Sequence, residues 1–109
     1  MLILSTKTTE RLKEISLLRS PKEATGLILS NGDVVELPNL SLQQSEFQVS
    51  KADLLIALSE EKTPSLVTFW HSHPSGGVGP SRKDMKQKTP FSYHLVVTID
   101  KNEIILSWY

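Results

Sequence analysis

His71-Ser-His-Pro-Ser-Gly-Gly-Val-Gly-Pro-Ser-Arg-Lys-Asp84 brings two imidazoles, a hydroxyl and a carboxylate together directly after the apolar run Leu66-Val-Thr-Phe-Trp70. The apolar run predicts a buried strand. Residues two apart on a strand point to the same face, so the rings of His71 and His73 can meet at one point. Pro74 holds His73 extended, because the residue before a proline is steered away from helical geometry. The glycines of Gly76-Gly-Val-Gly-Pro80 permit a sharp reversal that returns Asp84 to the histidines.

Two imidazoles and a carboxylate converging in this way suit Zn2+, which takes nitrogen and oxygen ligands in a tetrahedral shell. Catalytic zinc sites keep three protein ligands and leave the fourth place to water. His71, His73 and Asp84 make such a set. A competing reading of Ser81-Arg-Lys-Asp84 is a capping box, in which Ser81 starts a helix and Asp84 reaches back to the Ser81 N–H. The two uses of Asp84 are expected to compete, whereas Ser81 can begin the helix and still present its hydroxyl to a substrate.

Working outward, a chain of 109 residues predicts a single domain over 1–109 with one core. Twelve basic and twelve acidic side chains cancel, so no overall field invites nucleic acid or an anionic membrane, and neither is expected as a partner. The absence of cysteine excludes disulfide scaffolds, thiol catalysis and thiolate zinc sites. Met1-Leu-Ile-Leu4 is far shorter than a signal-peptide core, and no run approaches the length of a membrane span, which predicts a cytoplasmic protein.

Leu2 to Leu4 predicts a short first strand. Ser5, Thr6, Thr8 and Thr9 offer caps for a helix through Leu18, with Leu12, Ile15 and Leu18 or Arg19 facing inward and Ser20-Pro21 as its stop. Leu27-Ile-Leu29 and Asp33-Val-Val-Glu-Leu37 flank Asn31-Gly32, which predicts a hairpin with a type I′ turn. Residues 39–48 are polar and predict a loop with a short extended piece at Phe47-Gln-Val49. Ser50-Lys-Ala-Asp53 resembles a capping box before a helix whose apolar face is Leu54, Leu55, Ala57 and Leu58, ended by Thr63-Pro64. A further helix is expected from Ser81 to Lys88, closed by Thr89-Pro90. His94 to Ile99 and Ile104 to Trp108 read as a second hairpin around Asp100-Lys-Asn-Glu103. Without regular βαβ alternation, the fold class is α+β, with a mostly antiparallel mixed sheet flanked by helices.

These residues resemble the JAMM or MPN-plus metallopeptidases, whose signature is an upstream glutamate followed by His-x-His, seven residues, Ser, two residues and Asp. Glu23 stands in Glu-Ala-Thr-Gly-Leu-Ile-Leu, similar to the family's glutamate-bearing strand start, and His71, His73, Ser81 and Asp84 have the matching spacing. The resemblance implies a cytidine-deaminase-like domain with one Zn2+ per chain on His71, His73 and Asp84. It further implies Glu23 as general base and Ser81 as a stabiliser of the oxyanion. Read from the sequence alone, Glu23 is a solvated residue after Lys22; the resemblance is what makes it a candidate.

The implied activity is hydrolysis of a peptide or isopeptide amide by metal-activated water, with a protein or peptide as substrate. The segment between Asp33 and Ser50 lacks the insertions that larger relatives use to grip ubiquitin, and the chain looks more like small prokaryotic and phage members. The missing insertions count against ubiquitin conjugates as substrates; the settings the resemblance implies are removal of ubiquitin-like proteins or processing of a phage tail protein. The alternative is a non-catalytic binding or assembly module of phage tail type that keeps the fold. Oligomeric state is left open.

Among other residues, Trp70 should face away from His71 toward the core. His94 reads as a strand histidine satisfied locally. Trp108 and Tyr109 read as core, with an exposed, partner-facing end as the other option.

Overall fold

Why His71 and His73 end up on one wall follows from the strand that carries them and the two layers that enclose it. The computed structural model describes residues 3–44, 46–74, 77–86 and 91–109. In chain order the elements are α1 (Thr6–Arg19), β1 (Thr25–Ile28), β2 (Val34–Leu37), α2 (Lys51–Ala57), a 3-10 turn (Pro64–Leu66), β3 (Thr68–His73), α3 (Arg82–Lys86), β4 (Tyr93–Asp100) and β5 (Glu103–Trp108). The strands form a five-stranded sheet in the order β2-β1-β3-β4-β5. Only the β3–β4 pairing is parallel, so the α+β class and the mostly antiparallel mixed sheet expected from the sequence are present.

Alternation along β3 sorts its side chains between two layers. Trp70 joins Leu12 and Ile15 of α1 with Ala24, Ile28, Leu95 and Val97 on one face. Phe69 joins Leu27, Leu37, Phe47 and Val67 on the other, where Leu54, Ala57 and Leu58 also pack. His71 and His73 share the Phe69 face by the same period of two. Each fully buried Leu, Phe or Trp contributes roughly 1.5–3 kcal/mol by removal from water, so both layers press β3 into place.

Several expectations need correction. Ile3 and Leu4 belong to no strand, and Ile3 is wholly exposed; Leu2 lies outside the described residues. Ser5 alone caps α1, accepting from the Thr8 N–H at 3.1 Å, and the inward face is Thr8, Leu12, Ile15 and Ser16. Leu18 points to solvent, and Arg19 pairs with Glu36 on β2. Leu55 is likewise exposed, because the short α2 turns only Leu54, Ala57 and Leu58 inward. That helix ends at Ala57, and Thr63-Pro64 instead opens the 3-10 turn, which delays the start of β3 to Thr68. Phe47-Gln-Val49 joins no ladder, although the Leu40 N–H donates to the Gln48 carbonyl at 2.7 Å. The expected helix end at residues 87–90 lies outside the described residues.

The turns exchange types. At the β1–β2 connection Gly32 has φ +92°, Asn31 does not have positive φ, and the Gly32 N–H donates to the Leu29 carbonyl at 2.9 Å. Leu29 N–H donates to Asp33 C=O at 2.9 Å, which makes this a three-residue loop with glycine in the left-handed position. Asn31 is held by its side chain, whose Oδ1 accepts from the Asp33 N–H at 2.9 Å. The two-residue turn with both central residues at positive φ occurs instead at Lys101 (51°) and Asn102 (65°). A lysine there bears the left-handed penalty of about 1 kcal/mol. The double change Lys101→Asn with Asn102→Gly is therefore expected to raise stability by about 1 kcal/mol, roughly 4 °C in a thermal melt.

Among the described residues no helix is long and apolar enough to cross a membrane.

Candidate metal centre

β3 supplies the two imidazoles and α3 supplies the carboxylate. His71 is fully buried and His73 partly so; Nε2 of His71 lies 3.1 Å and Nε2 of His73 3.0 Å from the same oxygen, Oδ2 of Asp84. Glu23, two residues before β1, closes the group. One carboxylate oxygen of Glu23 and one ring nitrogen from each histidine lie within 4.8 Å of one another. Glu23 is only 5% exposed, which overturns its reading as a solvated residue.

Second contacts fix these groups. A carbonyl oxygen can only accept, so the 2.9 Å contact of His73 Nδ1 with the Gly77 C=O places the hydrogen on Nδ1 and leaves Nε2 to face the site. The Thr98 hydroxyl donates to the same carbonyl at 2.8 Å. Glu23 is held through its backbone: the Ala24 N–H donates to Ser72 Oγ at 2.8 Å, the Ser72 N–H donates to the Ala24 C=O at 2.9 Å, and Asn39 Nδ2 donates to the Glu23 C=O at 2.9 Å. Ser72 thus faces away from the two imidazoles, as strand alternation predicts, and from that side it ties β3 to the residue after the glutamate.

Ser81 and Asp84 form both halves of the capping box. The Ser81 N–H donates to Asp84 Oδ2 at 2.8 Å, and the Asp84 N–H donates to Ser81 Oγ at 3.1 Å. One Asp84 carboxylate oxygen meets the cap and both imidazoles together. Ser81 Oγ accepts at its lone pair, so its O–H remains able to donate.

The electrostatics follow from burial. Desolvation lifts the Glu23 carboxyl to about 7, against the pull of His73. Burial lowers the His71 ring, keeping it neutral at pH 7, while the Asp84 hydrogen bond raises His73. Burial alone would raise Asp84, but His71, His73 and the Ser81 N–H hold it well below the usual carboxylate range.

Whether this set suits Zn2+ can be judged from the polar atoms it leaves over. Glu23 Oε1 and His71 Nδ1 are buried with no hydrogen-bond partner, a costly state in a protein interior, and His71 Nε2 has only Asp84 Oδ2, 3.1 Å away, beside it. Zinc bonds of 2.0–2.1 Å in a tetrahedron require ligand atoms about 3.3 Å apart, close to the 3.1 and 3.0 Å from Oδ2 to each Nε2 atom. The donor set of two imidazoles and one carboxylate fits the ion.

Sequence reasoning passed over the residues that brace the site. Phe47, in the polar stretch, packs against His71 with ring centroids 4.6 Å apart and the planes tilted by 32°. Asn39 is the hub of the loop, donating to the carbonyls of Glu23 and Glu46 and accepting from the N–H groups of Ser41 and Gln48. Lys83 of α3 pairs with Glu46 across the same loop. Trp108 packs against the α1 layer, whereas Tyr109 turns its ring edge-on to His71 at 6.2 Å and beside His94 at 5.2 Å. Burial, then Asp84 and Glu23, raise the Tyr109 hydroxyl above its ordinary value. A cleft of about 620 Å³ opens onto Glu23, His73 and Ser81 between Gln43–Gln44 and the turn at Gly77–Pro80.

A family model described as prokaryotic homologs of the JAB domain matches residues 5–109. No curated protein matches the chain. No solved structure matches it.

Proposed function

The chain belongs to the prokaryotic homologs of the JAB domain, a family in which metal-dependent hydrolases and non-catalytic modules both occur, and from that premise we propose a zinc-dependent hydrolase of peptide or isopeptide amides. The observation that carries the reading is Glu23, a buried carboxylate without a partner on Oε1, set beside two histidines that share an aspartate oxygen. A structural residue would have no use for that arrangement.

His71, His73 and Asp84 would hold the ion, which supplies a Lewis acid and lowers the pKa of water to about 7. Glu23 accepts a proton from the attacking water and passes it to the leaving amine. With its carboxyl near 7, both protonation states are populated at neutral pH, as a group that takes and then gives a proton requires. Ser81 donates its O–H to the carbonyl oxygen as negative charge develops there. The neutral walls at Gln43, Gln44 and Gly77–Pro80 take an uncharged stretch of substrate.

Elemental analysis of the tag-free chain beside Asp84→Ala tests the metal half: one zinc per wild-type chain and loss of most of it in the variant are expected. A panel of fluorogenic peptide and isopeptide amides tests the chemistry. Zinc uptake with no cleavage of any member would assign the chain to the family's non-catalytic form, and no zinc in either protein would remove the metal centre altogether.

A further inference from the structure

Glu23 lines a second cleft, of about 380 Å³, that shares no other described residue with the first. It runs from Glu23 and Ala24 toward Pro38 and Asn39, and its rim carries Arg19, Lys22 and Glu36. Arg19 and Glu36 neutralise each other, with Nε and Nη2 donating to the two carboxylate oxygens at 2.6 and 3.0 Å. Lys22 has no such partner. Its Nζ donates to the Ser41 carbonyl at 3.1 Å, and among the described residues no carboxylate pairs with it.

Apart from Glu23, which lines both, the clefts differ in the charged side chains among their described residues. The first adds only His73, and the second adds the Arg19–Glu36 pair and Lys22, a cation outside any ion pair whose side chain is already tethered, so little rotamer freedom is lost when an anion meets it. An extended peptide advances about 3.3 Å per residue, so a chain whose amide lies at Glu23 reaches into both clefts within a few residues. We propose that the Lys22 cleft receives an acidic side chain of the substrate, adjacent to the bond at Glu23, which makes Lys22 a specificity-determining residue for substrates with a neutral-to-acidic junction. This rests on reading Glu23 as the catalytic carboxylate.

The test is a ¹⁵N–¹H titration of the purified 109-residue chain with two end-capped tetrapeptides, Ala-Glu-Ala-Ala and Ala-Gln-Ala-Ala, at low salt. The glutamate peptide is expected to shift the amides of Lys22, Ala24 and Asn39 and to bind about threefold tighter, within the range of a solvent-exposed ion pair. The preference should vanish in Lys22→Gln, and Lys22→Glu should instead favour an Ala-Lys-Ala-Ala peptide. Equal binding of the first two peptides, no shifts at those amides, or a preference that survives in Lys22→Gln would each overturn the proposal. The peptide's own spectrum reports cleavage independently. Selective binding joined to zinc uptake without cleavage of these peptides or of any panel member overturns the hydrolase reading and leaves Lys22 as the residue that selects an acidic peptide, whereas cleavage without charge preference overturns the Lys22 assignment alone.

Discussion

Glu23→Gln is expected to cut turnover by about 10²- to 10⁴-fold while zinc content stays at the wild-type level, because the amide cannot accept the proton and, in the proposed centre, His71, His73 and Asp84 hold the ion. A variant that keeps wild-type turnover would show that the base is another group. The same substitution carries a stability signature in the metal-free protein. Burial raises the Glu23 carboxyl to about 7 in the folded state, whereas the unfolded chain releases that proton near 4.5. Between those values the folded state holds more protons than the unfolded one, so this group's contribution falls as pH rises through the window. Above about pH 7 the wild type carries the cost of a buried carboxylate, on the order of 2 kcal/mol, and the glutamine does not. Metal-free Glu23→Gln should therefore melt higher than wild type at pH 8 and equal to it at pH 4. Bound zinc should shrink the gap at pH 8, since a nearby cation favours the charged carboxylate.

Gly26→Ala is expected to abolish folding. β1 is paired on both sides, with Gly26 opposite Glu36 on β2 and Trp70 on β3. A Cβ at this position would stand 2.1 Å from the Val35 carbonyl oxygen, 2.9 Å from Trp70 Nε1 and 3.1 Å from Glu36 Cα. Two of those atoms are backbone, and the indole is fully buried, so relief requires parting β1 from β2. A cost of more than about 4 kcal/mol takes up most of the stability of a domain near the lower end of the usual 5–15 kcal/mol. Circular dichroism should show no cooperative melt, and recovery in the soluble fraction should collapse. A melting temperature within a few degrees of wild type would mean that the two strands part at little cost.

The sheet was largely legible because its signals are local. Phe69 and Trp70 alternate across β3, Leu12 and Ile15 mark the inner side of α1, and Ser50 and Ser81 cap the helices they precede. Errors arose where tertiary packing chose among local options. Leu18 and Arg19 both fit the helical period, and the Glu36 carboxylate decided for Arg19 to lie over β2. Asn31-Gly32 has the composition of a tight turn, but the Asn31 side chain bonds Asp33 and a three-residue loop results. At the centre, the spacing of His71, His73, Ser81 and Asp84 was readable because strand and cap geometry fix it. Glu23 was not readable from its neighbours, since Lys22 and Pro21 look like solvent-facing residues and its burial comes from β3 and Asn39 far along the chain. Phe47, Asn39 and Tyr109 were missed for the same reason: each reaches the histidines or the glutamate across the fold.

The Ala24–Ser72 pairing, which spans 48 positions, also bears on when in its life the molecule can act. During synthesis the segment holding the glutamate leaves the ribosome well before the segment holding the imidazoles, and α3 follows later still. Neither half has a use for the other until β1 and β3 are zipped together. On the proposed hydrolase reading, a nascent chain lacks the reactive group until the sheet is complete, because only the pairing of β1 with β3 brings the glutamate to the imidazoles.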